Sequence, residues 1–543
     1  MLASIRAARP WLLAALALSA CSDDTPTTSP TDSGADDDSA LSEGECVTDH
    51  DCIYMGPGSM CMDSACMKMD VLGPTVVQPA ATDQDISLTP LIDINDDPAI
   101  FEGNMEVAIE DVELTPGVLT SAYVYKNATL PGSVPGPLID VVEGTLVRIH
   151  VTNNLPEPTT VHWHGLALPI EMDGVPNMPE PPIEPGESYT YEFEAMYPSL
   201  YWYHPHFRSD VQIERGLYGM FVIRPNTPEP VVDVERILSV DDILVDDSGQ
   251  VEPRDESPAH ILNDDGSMGM TFVSMMGRQG NRLLLNGKMN PVINVQGGSV
   301  ERWRVTNTAN SRFFNLSLEG HQLVHIGSDQ GFLAAPKVVS ELLISPSERV
   351  DFLVQMTGNA GQDYAFVTKH YDRGHDMADP GDLPLATVRY SPSALDVNTP
   401  MPATATPIEA WIETDPRHII TMGETTVRGG GVAFTLNSEV WPNFTPLVSP
   451  FNSGKETWEL VNTTHMDHPF HLHGTRFQVS STGPIGGGLT PETDREWKDT
   501  TIVGPESVTR FVTEFVDYPG TWLFHCHIFE HAHGGMMGVV NVE

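Results

Sequence analysis

Basic residues are scarce in this 543-residue sequence: 28 Lys and Arg face 75 Asp and Glu, a formal net charge of −47. Such a chain repels phosphate backbones, so a nucleic-acid partner is not expected. Long apolar runs are missing as well, apart from a short one near the N-terminus, and no membrane-spanning helix is anticipated. Cysteine is rare: of six, four crowd between Cys46 and Cys66, leaving Cys21 and Cys526 apart. What is abundant is Gly and Pro, 45 of each, among many Val/Thr runs. That balance predicts strands and turns rather than helices.

Arg6 and Arg9 precede an apolar stretch from Trp11 to Leu18, too short to span a bilayer and suited to a signal segment. Leu18-Ser19-Ala20-Cys21 resembles the bacterial lipobox, in which the cysteine becomes acylated. Residues 1–21 are therefore expected to be a lipoprotein signal peptide. The mature chain would be lipid-anchored at Cys21 in the bacterial cell envelope, facing the periplasm or exterior. Residues 22–42 are Asp, Ser, Thr and Pro with almost nothing to bury, an acidic disordered tether. Residues 43–70 hold Cys46, Cys52, Cys61 and Cys66, expected to form two disulfides in a small module.

The rest of the chain repeats. Glu143–Asn153 alternates apolar and polar residues, as a half-buried strand does, and similar runs end at Asn307 and Asn462. These asparagines lie 154 and 155 residues apart, which predicts three β domains of equal length. Pro-rich joints at 225–230 and 391–407 divide them into 91–226, 227–392 and 393–543. Short strands at this spacing predict β-sandwiches.

Histidines follow the same period. Nine residues after Asn153 comes His162-Trp163-His164, and nine after Asn462 comes His471-Leu472-His473. A second match sets His204-Pro205-His206 against His525-Cys526-His527. The middle repeat has Leu316-Ser317-Leu318 where the others carry a pair. Random placement would give about 0.7 H-x-H pairs, and five occur, counting His531 and His533. Residues i and i+2 of a strand face one side, so each pair aims two imidazoles at one point. Cys526 must then face away from His525 and His527, towards a second site. His468 stands at an odd offset from His471, and His531 and Met536 follow Cys526 by five and ten residues. Two His, a thiolate and a weak thioether make a blue-copper set.

With these residues in view, the sequence from about Leu91 to Glu543 resembles the three-domain multicopper oxidases of the bacterial laccase and copper-efflux oxidase type. The resemblance implies an all-β fold of three consecutive cupredoxin-like Greek-key sandwiches, and four copper ions. It implies that His468, Cys526, His531 and Met536 hold a type 1 copper, and that His162 and His471 hold the type 2 copper. It places His164, His204 and His527 on one type 3 ion and His206, His473 and His525 on the other. Glu530 resembles the proton-donating acid of the bacterial members, and Asp173 the acid beside the type 2 site.

The implied activity couples four one-electron oxidations of a donor to reduction of O2 to two waters, in a chain expected to be a monomer. The donor is either Cu(I) or a phenol or aromatic amine. Met268, Met270, Met275 and Met276 lie in a polar, Gly-rich stretch, where thioethers would suit Cu(I). The four-cysteine module, with Met55, Met60, Met62, Met67 and Met69, reads as a disulfide knot or a Cu(I)-collecting arm. Asp467 and Trp497–Thr500 are candidates to border the donor pocket. His321, His325, His370, His375 and His533 carry no expected ligand role. The alternative from another class is a non-catalytic envelope protein that sequesters copper.

Overall fold

The computed structural model describes residues 74–253, 276–374, 379–393, 399–404, 406–427, 431–442, 444–451 and 454–543, with the backbone of short strands at 59–62, 65–68, 261–262 and 268–269. The signal segment with Cys21, the acidic tether and most of the four-cysteine module lie outside the described residues. Within that module, Ser59–Met62 pairs antiparallel with Ala65–Lys68, setting Cys61 opposite Cys66. Among the described residues no helix is long and apolar enough to cross a membrane.

The strands sort into three pairs of sheets. Two four-stranded sheets are built from residues 100–224, a six- and a five-stranded sheet from 234–390, and another six and five from 418–542. In each unit the repeated strand pairs parallel with the unit's opening strand, several elements earlier, and antiparallel with a later one: Leu146–Asn153, Val300–Asn307 and Glu456–Asn462. Leu146–Asn153 buries every second side chain, as its alternation requires. Val300–Asn307 departs from that expectation, being buried on both faces. Its polar face carries Arg302 and Arg304, which a roof of Glu229, Glu235 and Asp351 neutralises under cover.

The periodic asparagines have a structural cause. Each is fully buried at a strand end, where the chain turns. Asn153 Nδ2 donates to Glu157 O and Ile183 O, and Asn307 Nδ2 to Arg312 O and Ile344 O. Asn462 Nδ2 donates to Met466 O, Val503 O and Gly504 O. In all three the side-chain oxygen accepts the backbone N–H two residues on, at Leu155, Ala309 and Thr464. One amide thus satisfies a corner of backbone that packing would otherwise leave unpaired.

The first and third units share one apolar cluster, running from Trp163 and Phe221 through Trp458 to Phe524, whereas the middle unit's core around Trp303 is separate. Residues 74–99, ahead of the first sandwich, bridge the units: Thr82 pairs with Pro291 and Pro90 with Leu138.

Candidate metal centres

The strand His162–His164 lies beside Ser199–His204, with His162 opposite His204. In the third unit, His468–Leu472 pairs with Gly520–Cys526, His471 opposite His525 and Phe470 opposite Cys526. Side chains alternate along both strands, so His471 and His525 share one face while His468 and Cys526 share the other. The chain therefore makes two sites, back to back.

On one face eight imidazoles from the first and third units close into a ring. His162, His164, His204, His471, His473, His525 and His527 are buried and His206 is half-buried. His162 stacks on His473 at 4.1 Å between centroids, and His164 on His471 at 3.9 Å. His206, His473 and His525 bring three nitrogens together, with Nε2 of His525 3.4 Å from that of His206 and 3.2 Å from that of His473. His527 faces His164 at 5.0 Å and His204 at 5.8 Å.

Main-chain and carboxylate oxygens tie the outer nitrogens. Nδ1 of His162 donates to Asp173 O, that of His204 to Pro205 O, that of His471 to Asp499 O, and that of His525 to Cys526 O. The inward Nε2 of His162, His204 and His471, Nδ1 of His164 and both nitrogens of His527 are buried with no hydrogen-bond partner. Leaving such a group unpaired costs about 1–3 kcal/mol. Burial, with neighbouring imidazoles adding, holds His164, His204, His206, His471 and His527 well below the usual imidazole range, so protons do not fill the ring. Converging neutral imidazole lone pairs fit copper.

On the other face, His468 Nδ1 and His531 Nδ1 lie 3.6 and 3.7 Å from Cys526 Sγ and 3.2 Å from each other. Thr464 Oγ1 bonds His468 Nε2 at 2.7 Å, turning Nδ1 to the sulfur. Phe434 stacks on His531 at 3.9 Å, and the buried Met536 returns its carbonyl to Cys526 N–H. Burial pushes the Cys526 thiol up, so a thiolate here needs a cation beside it. The donor set of two imidazoles and a sulfur fits a blue-copper ion.

Asp173 is buried against the ring, Oδ2 2.9 Å from His473 Nδ1 and Oδ1 3.3 Å from His162 Nδ1. Burial opposes its ionisation, but His473 and His162 prevail and hold its carboxyl well below the usual range. The backbone behind it is tight: a Cβ on Gly174, at φ +73°, would stand 2.0 Å from Val161 O. Glu530 is buried in the short helix Phe529–His533, its Oε1 accepting from Asn310 Nδ2 of the middle unit at 3.0 Å. Beside it Phe529 packs on His527 and His204.

Two expectations change. Asp467 adjoins His468 in the chain and accepts from Tyr371 Oη at 2.9 Å. Asp499 is not at the sulfur cluster: it lies against the histidine ring, 3.3 Å from His164 Nε2, because its carbonyl takes Leu472 N–H where Thr500–Val503 pairs along His468–Leu472. Met276 is fully buried core, its carbonyl taken by Arg373, rather than part of an open thioether cluster. Met270 and Met275 lie outside the described residues; Met268 is placed by backbone alone, in a hairpin against the strand Gly431–Leu436. His321 bonds Tyr390 Oη and His325 bonds Gly327 O, His370 and His533 lie near Asp379 and Asp210, and His375 is outside the described residues. Sequence reasoning missed Arg349, Gln330 and Asn310, single residues of the metal-free unit with no motif around them.

Three family models described as multicopper oxidase match residues 118–228, 246–393 and 413–543. The chain is 31% identical over 444 residues to a multicopper oxidase of Mycobacterium tuberculosis, covering 77% of this chain and 83% of that one. It is 29% identical over 429 residues to one of Staphylococcus epidermidis, covering 76% and 83%. Among solved structures it is similar to a Campylobacter jejuni multicopper oxidase described as a metallo-oxidase, with a TM-score of 0.72, 28% identity, and coverage of 86% and 97%.

Proposed function

Because the chain belongs to the multicopper oxidase family, we propose that the ring of eight imidazoles is its trinuclear copper centre and the sulfur cluster its type 1 centre. The observation that carries this is the convergence of unpaired, buried imidazole nitrogens on one point. His468, Cys526, His531 and Met536 are then the type 1 ligands, and His162 and His471 the type 2 ligands. His164, His204 and His527 hold one type 3 ion, and His206, His473 and His525 the other. The four copper ions supply the redox chemistry of the family, four one-electron oxidations of a donor matched to reduction of O2 to two waters. The non-catalytic reading is not favoured.

The chain's own residues perform the rest. Cys526 is bonded through the backbone to His525 and His527, so the two centres are joined by a few covalent bonds. The opposite facing of sulfur and imidazoles keeps the donor away from the oxygen site. Asp173, held as a carboxylate, accepts from Nδ1 of His162 and His473 and so fixes how these imidazoles face the ring, and Glu530 is the buried acid placed to supply protons.

Cu(I) is the donor we favour. His468 and His531 are both fully buried, Phe434 stacks on His531 at 3.9 Å, and the strand Met268–Gly269 lies against the strand that bears Phe434. Asp467, next to His468 and accepting from Tyr371 Oη, gives this end a carboxylate that burial raises to about 6, ionised at neutral pH and suited to a cation. The Campylobacter jejuni relative is itself described as a metallo-oxidase. The test is O2 uptake by the copper-loaded protein cut after Cys21, with Cu(I) and with a simple phenol over a range of concentrations. Faster, saturable uptake with Cu(I) supports the reading; a phenol preference overturns it in favour of a laccase. The lipobox-like Leu18–Cys21 leads us to place the mature monomer on the bacterial envelope through acylated Cys21. Release of a C21S variant into the soluble fraction is the expected result.

A further inference from the structure

The middle unit carries no H-x-H pair, yet one of its arginines reaches the histidine ring. Arg349 opens the strand Arg349–Gln355 and is almost fully buried. Its Nη1 and Nη2 donate to Asp499 Oδ1 at 2.8 Å and Oδ2 at 2.5 Å, a two-pronged ion pair. Its further bonds go to Leu200 O at 3.2 Å, Ser347 O at 2.9 Å and Asp329 O at 3.0 Å. One guanidinium therefore ties all three units together. Gln330, from the same unit, adds Nε2 bonds of 2.6 Å to both Asp499 Oδ2 and Gly165 O.

Asp499 passes this anchoring to two imidazoles. Its carboxylate Oδ1 accepts from His164 Nε2 at 3.3 Å, and its main-chain oxygen accepts from His471 Nδ1 at 2.9 Å. His162, His204, His471, His473 and His525 are tied through Nδ1, whereas His164 is tied through Nε2 and turns Nδ1 inward. A neutral imidazole has one donor and one acceptor nitrogen, so the oxygen that takes the Nε2 proton decides which nitrogen is left for a metal. The chain can follow His164 past this ion pair only as glycine. A Cβ on Gly165, at φ +85°, would lie 2.5 Å from Asp499 Oδ2 and 2.9 Å from Arg349 Nη2.

We propose that Arg349 is a positioning residue for the trinuclear centre: through Asp499 it sets which nitrogen His164 presents and where His471 stands. A unit without copper ligands thereby controls whether two of the trinuclear positions fill. The inference rests on the ligand assignment proposed above. A purely structural ion pair would hold the units together and leave copper content untouched.

The full-length, copper-loaded protein separates the two. Copper per chain, the blue absorption of the type 1 site and the type 2 electron paramagnetic signal are measured for wild type, R349K, R349Q and R349M/D499L. The double change removes both buried charges at once, so it keeps the fold testable if R349Q is lost to an unpaired carboxylate. Expected is a fall from four copper ions to three or fewer in R349Q and in the double variant, with blue absorption retained and the type 2 signal lost or altered. R349K, a point charge in place of a fork, falls between. Four copper ions with an unchanged type 2 signal in R349Q or the double variant would overturn the proposal. A wild type unable to take up four would overturn the ligand assignment and this inference together.

Discussion

An imidazole nitrogen buried without a partner is unfavourable, and this chain keeps six such atoms, from five imidazoles, in one ring. Nothing in packing asks for that; a multivalent cation does. Cys526 repeats the logic on the opposite face, where a buried thiol becomes a ligand only beside positive charge. Replacing Cys526 with Ser should abolish the blue absorption while the ring keeps its copper, measured by spectrum and metal content. Replacing Glu530 with Gln should slow reoxidation by O2 while reduction by the donor stays fast, a split that stopped-flow absorbance resolves. Glu214 carries a pH signature away from the ligands. Burial, with Asp242 and Glu530 adding, raises its carboxyl to about 7 despite Arg278 Nε at 2.9 Å. The folded chain thus binds this proton more tightly than the unfolded chain, whose value is the ordinary 4.5. Stability should fall as pH rises from about 4.5 to about 7 and level off above, by roughly 3 kcal/mol for this group. E214Q should remove that component, read from urea midpoints on either side of the window.

At the scale of elements, strand alternation does the sorting. On Gly520–Cys526 and His468–Leu472 the same two-residue period that buries a sandwich core sends sulfur one way and imidazoles the other. The period-setting asparagines close the strands that carry this pattern, and Asn307 offers a clean test because its unit lacks copper ligands. Asn307→Ala loses two donated bonds and one accepted bond in a fully buried corner. It should destabilise by about 2–4 kcal/mol, leaving stranded carbonyls and an N–H. Chemical denaturation should show this with the blue absorption of the folded protein unchanged.

For the whole molecule, the sites lie where the units meet. The ring takes four imidazoles from each outer unit, so copper braces two units that a shared apolar core already holds together. Copper removal by chelation under reducing conditions should lower Tm by at least about 5 °C, because a ligand that binds only the assembled site stabilises it by mass action. Re-addition of copper should restore it, followed by calorimetry. The middle unit, with its separate core, acts as a brace: Asn310 meets Glu530, and Arg349 and Gln330 meet Asp499.

The sequence by itself determined the periodic architecture, the H-x-H pairs and the opposition of Cys526 to its neighbours. Each is local, a consequence of strand pleat and fixed spacing, and local rules survive without coordinates. The tertiary structure alone decided what surrounds the ligands. Arg349 lies 150 residues from Asp499 in the chain, Asp173 lies 300 from His473, and Met276 looked exposed until folding buried it. No periodicity marks such pairs, because an ion pair between units depends on where surfaces meet rather than on which residue follows which. The middle repeat read as empty for the same reason: its contribution is single side chains delivered across an interface.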